Sequence, residues 1–185
     1  MPRVSTRDLV LAALFASLTA AGAFVALPMV GPVPFTLQVF FVLLAGFVLG
    51  PRLGTLSMIM YLLLGLVAPV YAGGLSGIAA LVGPTGGYIV GFVLSPLVTG
   101  LARRRPQRTG TPALFAIGAA ALLPIYGVGA AWLAVSLHSA SYRVVLWGGV
   151  LQFVPLDLAK ALAAALTARA LLSLPLGLLE PQRSR

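Results

Sequence analysis

The chain has 185 residues, of which 60% are hydrophobic and 8% are charged, and it contains no cysteine. This composition excludes a water-soluble domain, which needs far more charge on its surface, and the missing thiol excludes disulfides, thiolate metal sites and a cysteine nucleophile. Long apolar stretches run along the chain without an alternating apolar and polar pattern. The sequence therefore predicts an all-α integral membrane protein rather than a β-barrel.

Six membrane spans are predicted, since a helix needs roughly 20 residues to cross about 30 Å of hydrocarbon. They are 8–28, 35–50, 53–70, 78–102, 111–136 and 144–174. Clusters of Pro and Gly separate them, as expected for turns. No cleavage site followed by a polar mature domain marks the first span as a signal peptide. No internal repeat supports an inverted-repeat transporter, so residues 1–185 are expected to form one domain.

The net charge of +9 is explained by its placement. If six spans cross with both termini inside, ten of the twelve Lys and Arg residues fall at the cytoplasmic face. These ten are Arg3, Arg7, Arg52, Arg103, Arg104, Arg105, Arg108, Arg169, Arg183 and Arg185. This distribution follows the positive-inside rule and predicts a multi-pass protein in membrane lipid with cytoplasmic termini. It leaves no basic stripe for nucleic acid.

The first span carries small residues at four-residue spacing, at Ala12, Ala16 and Ala20. Small side chains allow helices to approach closely. The stripe therefore predicts either packing inside the chain or docking of a second membrane protein.

The middle spans contain a few polar or aromatic residues. Gln38 and Gln152 are interpreted as helix–helix hydrogen bonds or pocket contacts, and Tyr88 and Tyr126 as part of aromatic belts at span ends. The glycine-rich "GPTGGY" at 83–88 lacks the Lys and Ser or Thr of a phosphate-binding loop. Uphill transport would therefore need an ion gradient or a separate ATPase.

The last span contains two opposite charges, Asp157 and Lys160, just after Pro155. Each central charge costs about 2.5–3.5 kcal/mol on insertion scales. Residues three apart share a helix face, so the side chains can meet, and the proline is expected to kink the helix. The pair predicts either a link between helices or a polar site for a small ligand or ion. Arg143 lies at the outer end of this span.

Several stretches taken together resemble the BioY family, the biotin-capturing membrane subunit of energy-coupling-factor (ECF) transporters. The most specific are "PVPFTLQ" (32–38), "GPTGGY" (83–88) and "DLAK" (157–160), in that order. The resemblance runs from about residue 8 to 172. It implies a six-helix, S-component-like fold that binds biotin near the outer side of a bacterial inner membrane. It also implies a transmembrane coupling protein and cytosolic ATPase subunits as partners.

The resemblance also implies roles for residues. Asp157 and Lys160 are expected to contact biotin, with Arg143 as a second cation. The expected site is completed by Tyr88 and the turn containing Gly73 and Gly74, where only backbone groups are offered. Gln38 is a further candidate contact because of its polarity, not because of the resemblance. The stripe of Ala12, Ala16 and Ala20 is expected to face the coupling protein. The chain is expected to be a binder rather than an enzyme, without cofactor or metal.

Other functions stay open on the sequence. An ion-coupled secondary transporter would use Asp157 as its proton carrier. A rhomboid-like intramembrane serine protease would use Ser76, in "GLSG", and His138 as a dyad. A structural membrane scaffold and action as a homo-oligomer are the remaining alternatives.

Overall fold

The computed structural model describes residues 4–104, 110–138 and 141–174. Its helices and strands are Thr6–Phe24 (α1), Ala26–Leu27 (β1), Phe35–Thr36 (β2), Gln38–Val67 (α2), Gly77–Val82 (α3), Gly86–Thr99 (α4), Thr111–Ala120 (α5), Leu122–Ser136 (α6), Tyr142–Leu146 (α7) and Val154–Ser173 (α8). Short 3₁₀ turns cover Ala72–Gly74 and Gly100–Arg104. A π-helical turn, Trp147–Leu151, joins α7 to α8.

The first helix begins at a capping box. The Asp8 backbone N–H donates to Ser5 Oγ at 3.2 Å, and the Ser5 backbone N–H donates to Asp8 Oδ2 at 3.0 Å. Because these bonds satisfy N–H groups that have no partner within the helix, Asp8 is explained as a helix cap.

Helix α2 is a hairpin of two antiparallel arms, 38–49 and 51–67. Gly50 has φ 83° and ψ 178°, and Pro51 follows it. A Cβ placed on Gly54 would lie 3.0 Å from Gly46 Cα, although eight residues of straight helix span about 12 Å. The reversal also brings Gln38 to Tyr61, which it hydrogen-bonds. Among the described residues, five segments are long and apolar enough to cross a membrane, and the hairpin divides one of them into the second and third of six crossings.

The arm 38–49 is central, and its side chains are mostly buried by protein. Helix α2 packs against α1, α4 and α8, while α4 packs on α6 and α5 on α8. Gly91 permits the α4–α6 crossing, since a Cβ there would lie 2.7 Å from Ile125 Cα. The core therefore runs along α2 between the other helices.

Most predicted spans agree with the structure, and two differ at their ends. The first helix stops at Phe24 rather than at residue 28, because the chain leaves it to form the β1–β2 ladder. The predicted span 78–102 is broken at 83–85 into α3 and α4. Gly83 ends α3 in extended backbone, and Pro84 cannot donate a helical hydrogen bond.

The structure corrects the docking prediction for α1. Ala12, Ala16 and Ala20 are only 0%, 3% and 7% exposed, because they face the chain's own helices. The exposed small residues of α1 are Ser17 and Ala21 on another face of the helix. The four-residue spacing was therefore an internal packing signal.

Candidate functional site

A cavity of about 570 Å³, including the space at its mouth, opens at the end of the bundle where α2 begins. Its lining residues come from the β1–β2 region, α2, the 3₁₀ turn, α4, α6 and α8. They are Val33, Pro34, Thr36, Gln38, Val39, Ala72, Thr85, Tyr88, Ile89, Phe92, Ile125, Tyr126, Phe153, Asp157 and Lys160.

The charged pair of α8 forms one wall of this cavity. Lys160 Nζ lies 2.6 Å from Asp157 Oδ1, and the two side chains are only 8% and 4% exposed. The Tyr126 hydroxyl donates to Asp157 Oδ2 at 2.6 Å. The ammonium also lies 3.8 Å from the ring centroid of Phe35, within cation–π range. Both carboxylate oxygens thus have a donor, while Lys160 retains further N–H groups.

The local fold explains how a carboxylate is held at this depth. Helix α8 begins at Val154 with Pro155 in its first turn, where a missing N–H is tolerated. Asp157 also lies in that first turn, and the positive end of the helix dipole stabilises a negative charge there. The sequence predicts a kink at Pro155. In the structure α8 begins one residue before this proline, after the π-helical turn, which places Asp157 where the helix dipole favours a carboxylate.

Gln38 connects the cavity to the α2 hairpin. Thr36 Oγ1 donates to Gln38 Oε1 at 3.0 Å, and Gln38 Nε2 donates to the Tyr61 hydroxyl. Tyr61 donates in turn to the backbone oxygen of Val70 at 3.1 Å. Gln38 therefore fulfils both interpretations of the sequence, since it links two helical arms and lines the cavity.

The adjoining turn is fixed by Tyr71. Its hydroxyl donates to Leu62 O at 2.6 Å, and burial raises the pKa of Tyr71. This keeps the hydroxyl in its donor form. Ala72, the next residue, reaches the cavity.

Tyr88 forms another part of the wall. Its hydroxyl donates to Gly149 O at 2.9 Å, which fixes the ring beside the cavity. Gly129 makes room for that ring, because a Cβ on Gly129 would overlap it. Tyr88 therefore offers the cavity an aromatic surface rather than a free hydroxyl.

The structure brings four of the predicted contact residues together at the cavity: Asp157, Lys160, Tyr88 and Gln38. Gly73 and Gly74 are exposed with φ of 71° and 75°, and an added Cβ would meet nothing within 4 Å. They shape the turn, and their ligand contacts stay a prediction. Arg143 is exposed on α7 and does not line the cavity, so its contact with a ligand also stays a prediction.

Three polar cavity residues were missed by the sequence analysis, namely Thr36, Thr85 and Tyr126. Tyr126 was interpreted as part of an aromatic belt, yet it holds Asp157. Thr36 was not singled out, although it is buried and bonded to Gln38. A tyrosine in an apolar helix can belong to an aromatic belt or can bond to a buried polar group. The spacing of residues in the sequence does not distinguish these two roles.

The protease dyad is not assembled. Ser76 is exposed in the turn before α3. The His138 ring is exposed, and its Nδ1 lies 3.1 Å from Ser136 O. Both residues lie in the described part of the chain, and no hydrogen bond there joins them.

Fold and site together define an all-helical integral membrane protein that holds a small-molecule cavity with a buried ion pair in its wall. The chain belongs to the BioY family, whose model matches residues 1–175.

Named relatives agree with this assignment. The chain is 41% identical to the probable biotin transporter BioY of Pyrococcus horikoshii, over 91% of this chain and 98% of that protein. It is 42% identical to the biotin transporter BioY of Thermotoga maritima, over 88% and 94% of the two chains. It also resembles the crystal structure of the S-component for biotin from an ECF-type ABC transporter. That likeness has a TM-score of 0.82 at 28% identity and covers 90% of this chain and 91% of the other. These relatives are described as transporters or components of one, and none as an enzyme.

Proposed function

We propose that this chain is the membrane-embedded biotin-binding component of an ECF-type importer. The observation that carries the proposal is the Asp157–Lys160 pair, buried at the wall of a cavity that several helices line together. A pair that only linked helices would need no such chamber beside it. Membership of the BioY family supports biotin as the ligand.

Biotin matches the chemistry of the cavity. Its ureido ring offers N–H donors beside a carbonyl acceptor, so one ring can serve a carboxylate and an ammonium together. We assign this ring to Asp157 and Lys160. The valerate carboxylate is assigned to the mouth, because a second anion beside Asp157 would be repelled. The apolar bicycle fits the surface formed by Ile89, Phe92 and Phe153.

We infer the orientation in the membrane from the two ends of the α2 hairpin. The cavity lies where the first arm begins, and the arm ends at Gly50. There Gly100 packs against the Pro51 backbone, which brings Arg52 and Arg103 to the same end of the bundle. By the positive-inside rule this end is cytoplasmic. The cavity then faces outward in a bacterial inner membrane, with both termini inside.

Energy for uptake is proposed to come from partner subunits. The chain has no phosphate-binding loop of the Walker type. A transmembrane coupling protein and cytosolic ATPases are therefore proposed, and the exposed Ser17–Ala21 face of α1 is their proposed contact.

The proposal is tested by purifying the chain without added ligand and identifying co-purifying small molecules by mass spectrometry. Titration with three compounds then defines the recognition. Biotin and biotin methyl ester are expected to bind, since both contain the ureido ring. Lipoate, an apolar acid without that ring, is expected not to bind. Equal binding of lipoate would contradict recognition by the ureido group, and a lack of biotin binding would overturn the function.

A further inference from the structure

The segment between β1 and β2 forms part of the cavity wall. Val33 and Pro34 of this segment (28–34) line the cavity together with Thr36 of β2, and Phe35 of β2 packs against the Lys160 ammonium. The base of this segment is held by the short ladder that pairs residues 26–27 with 35–36. Two strands of two residues are weak on their own. A further attachment is needed to fix the tip.

Gln152 supplies that attachment from outside the cavity. Its Nε2 donates to Val30 O at 2.7 Å and to Gly148 O at 2.9 Å. The amide thus uses both of its donors, one on the segment and one on the helix bundle. Gly31 completes the contact, because its φ of 108° and the lack of a side chain let it lie against Gly148.

Gly148, which accepts one of the two Gln152 bonds, belongs to the π-helical turn Trp147–Leu151. Such turns are rare and occur frequently at functional sites. Here two neighbouring carbonyls each accept a hydrogen bond from a different side chain. Gly149 O accepts from Tyr88 in the wall, and Gly148 O accepts from Gln152. The turn is therefore a shared anchor for Tyr88 and for the 28–34 segment.

We propose that Gln152 is a positioning residue for the ligand cavity: its side-chain amide holds the tip of the 28–34 segment on the π-helical turn and so controls how long the ligand stays bound. The inference rests on the proposed function. Gln152 does not line the cavity, so it acts through Val33, Pro34 and Phe35 rather than by contact with the ligand.

The first test is the dissociation rate of biotin, measured by chase with unlabelled ligand. Gln152→Met keeps the length of the side chain and removes both donors. Gln152→Glu keeps its shape and replaces the amide by an acceptor, so it serves if the methionine variant does not fold. Both are expected to release biotin about tenfold faster, as for a lost pair of hydrogen bonds. Leu162→Met, at a position of α8 that lies outside the π-helical turn and is 44% exposed, is the matched control and is expected to leave the rate unchanged.

The second test is the mobility of the loop tip. Because the chain has no cysteine, Val30→Cys provides a single site for a spin label, and Val30 is 70% exposed. The label is expected to become more mobile when Gln152→Met is added to the ligand-free protein. A label at Leu123→Cys, 71% exposed on α6, is expected to be unaffected.

The proposal is overturned if either measurement stays at the parent value, since the anchor would then be absent or without effect on the ligand. An equal rise in mobility at residue 123 would also overturn it, because the change would then be a general loosening. Failure of the proposed function looks different. In that case the parent protein itself binds no biotin. The effect of Gln152→Met on the label at residue 30 can still be measured, because that comparison is made without ligand.

Discussion

The hydroxyl of Tyr126 donates to Asp157 Oδ2 at 2.6 Å, while Lys160 bonds the other oxygen of the same carboxylate at 2.6 Å. The carboxylate is therefore held from α6 and from its own helix. Two fixed donors leave Asp157 little freedom to rotate, so its remaining lone pairs point in set directions. A ligand that donates to this carboxylate meets an acceptor that is already oriented, which lowers the entropy lost on binding.

Removing either charge of the pair is expected to weaken biotin binding at least tenfold. Asp157→Asn and Lys160→Ala each take away one partner of a buried hydrogen bond, which costs about 1–3 kcal/mol and more for charged groups. Binding isotherms of the purified variants measure this directly. Unchanged isotherms for both variants would refute the assignment.

A double variant separates ligand binding from helix linkage. Each single change leaves a buried charge without its partner, whereas Asp157→Asn combined with Lys160→Met removes both charges. The double variant is expected to melt at a higher temperature than either single variant, yet to bind biotin no better. Recovery of biotin binding in the double variant would show that the pair contributes only to the packing of α8 on its neighbours and not to ligand recognition.

Loss of the Tyr126 hydroxyl is expected to have a smaller effect. Tyr126→Phe removes one donor, but Asp157 keeps its bond to Lys160, so a three- to tenfold weaker affinity is expected, or about 1 kcal/mol. Tyr142→Phe is the control, because Tyr142 is 70% exposed on α7. An affinity of Tyr126→Phe equal to that of the control would mean that orientation of the carboxylate is unimportant.

Two glycines of α6 provide a matched pair for testing the cavity wall. A Cβ on Gly129 would overlap the Tyr88 ring, whereas a Cβ on Gly127 would meet nothing within 4 Å. Gly129→Ala is expected to lower stability by about 1–3 kcal/mol through overpacking and to weaken biotin binding by displacing Tyr88. Gly127→Ala is expected to be neutral or stabilising, since Ala is the better helix former by up to about 1 kcal/mol. Melting temperature in detergent and biotin affinity would be compared, and equal behaviour of the two variants would contradict this account of the wall.

The sequence predicted the site residues that are unusual in a membrane-spanning helix. Two charges in an apolar span are costly, so Asp157 and Lys160 stood out without a structure. Tyr126 did not, because a tyrosine near a span end satisfies the ordinary expectation for membrane helices. Its partner lies 31 residues away, and such long-range contacts depend on how helices pack.

The number and order of the membrane crossings were also predictable from the sequence, whereas the packing of individual helices was not. Hydropathy located the crossings, and the "GPRLG" motif separated the second from the third, where Gly50 reverses the chain. The orientation of α1 was not predictable. Alanines at 12, 16 and 20 and the neighbouring Ser17 and Ala21 are all compatible with close helix contact. The choice between faces is made by the packing of α1 on α2.

The exposed face of α1 gives the last prediction. Ser17→Leu and Ala21→Leu place a larger apolar side chain toward lipid, where it is tolerated, but they enlarge the surface proposed to meet the coupling protein. Both variants are expected to bind biotin normally and to lose co-purification with a coupling protein and ATPases. Ala16→Leu is expected to behave differently, because Ala16 is 3% exposed and a larger side chain there would force α1 away from its neighbours.

The matched control is Ala163→Leu, the same type of change on the exposed face of α8, which is expected to leave both binding and assembly intact. The measurement is the amount of coupling protein recovered with the tagged chain, together with biotin affinity. If Ser17→Leu and Ala21→Leu assemble as well as Ala163→Leu, the partner does not contact this face of α1. Because small residues let backbones approach closely, a true contact here should be sensitive to the added volume.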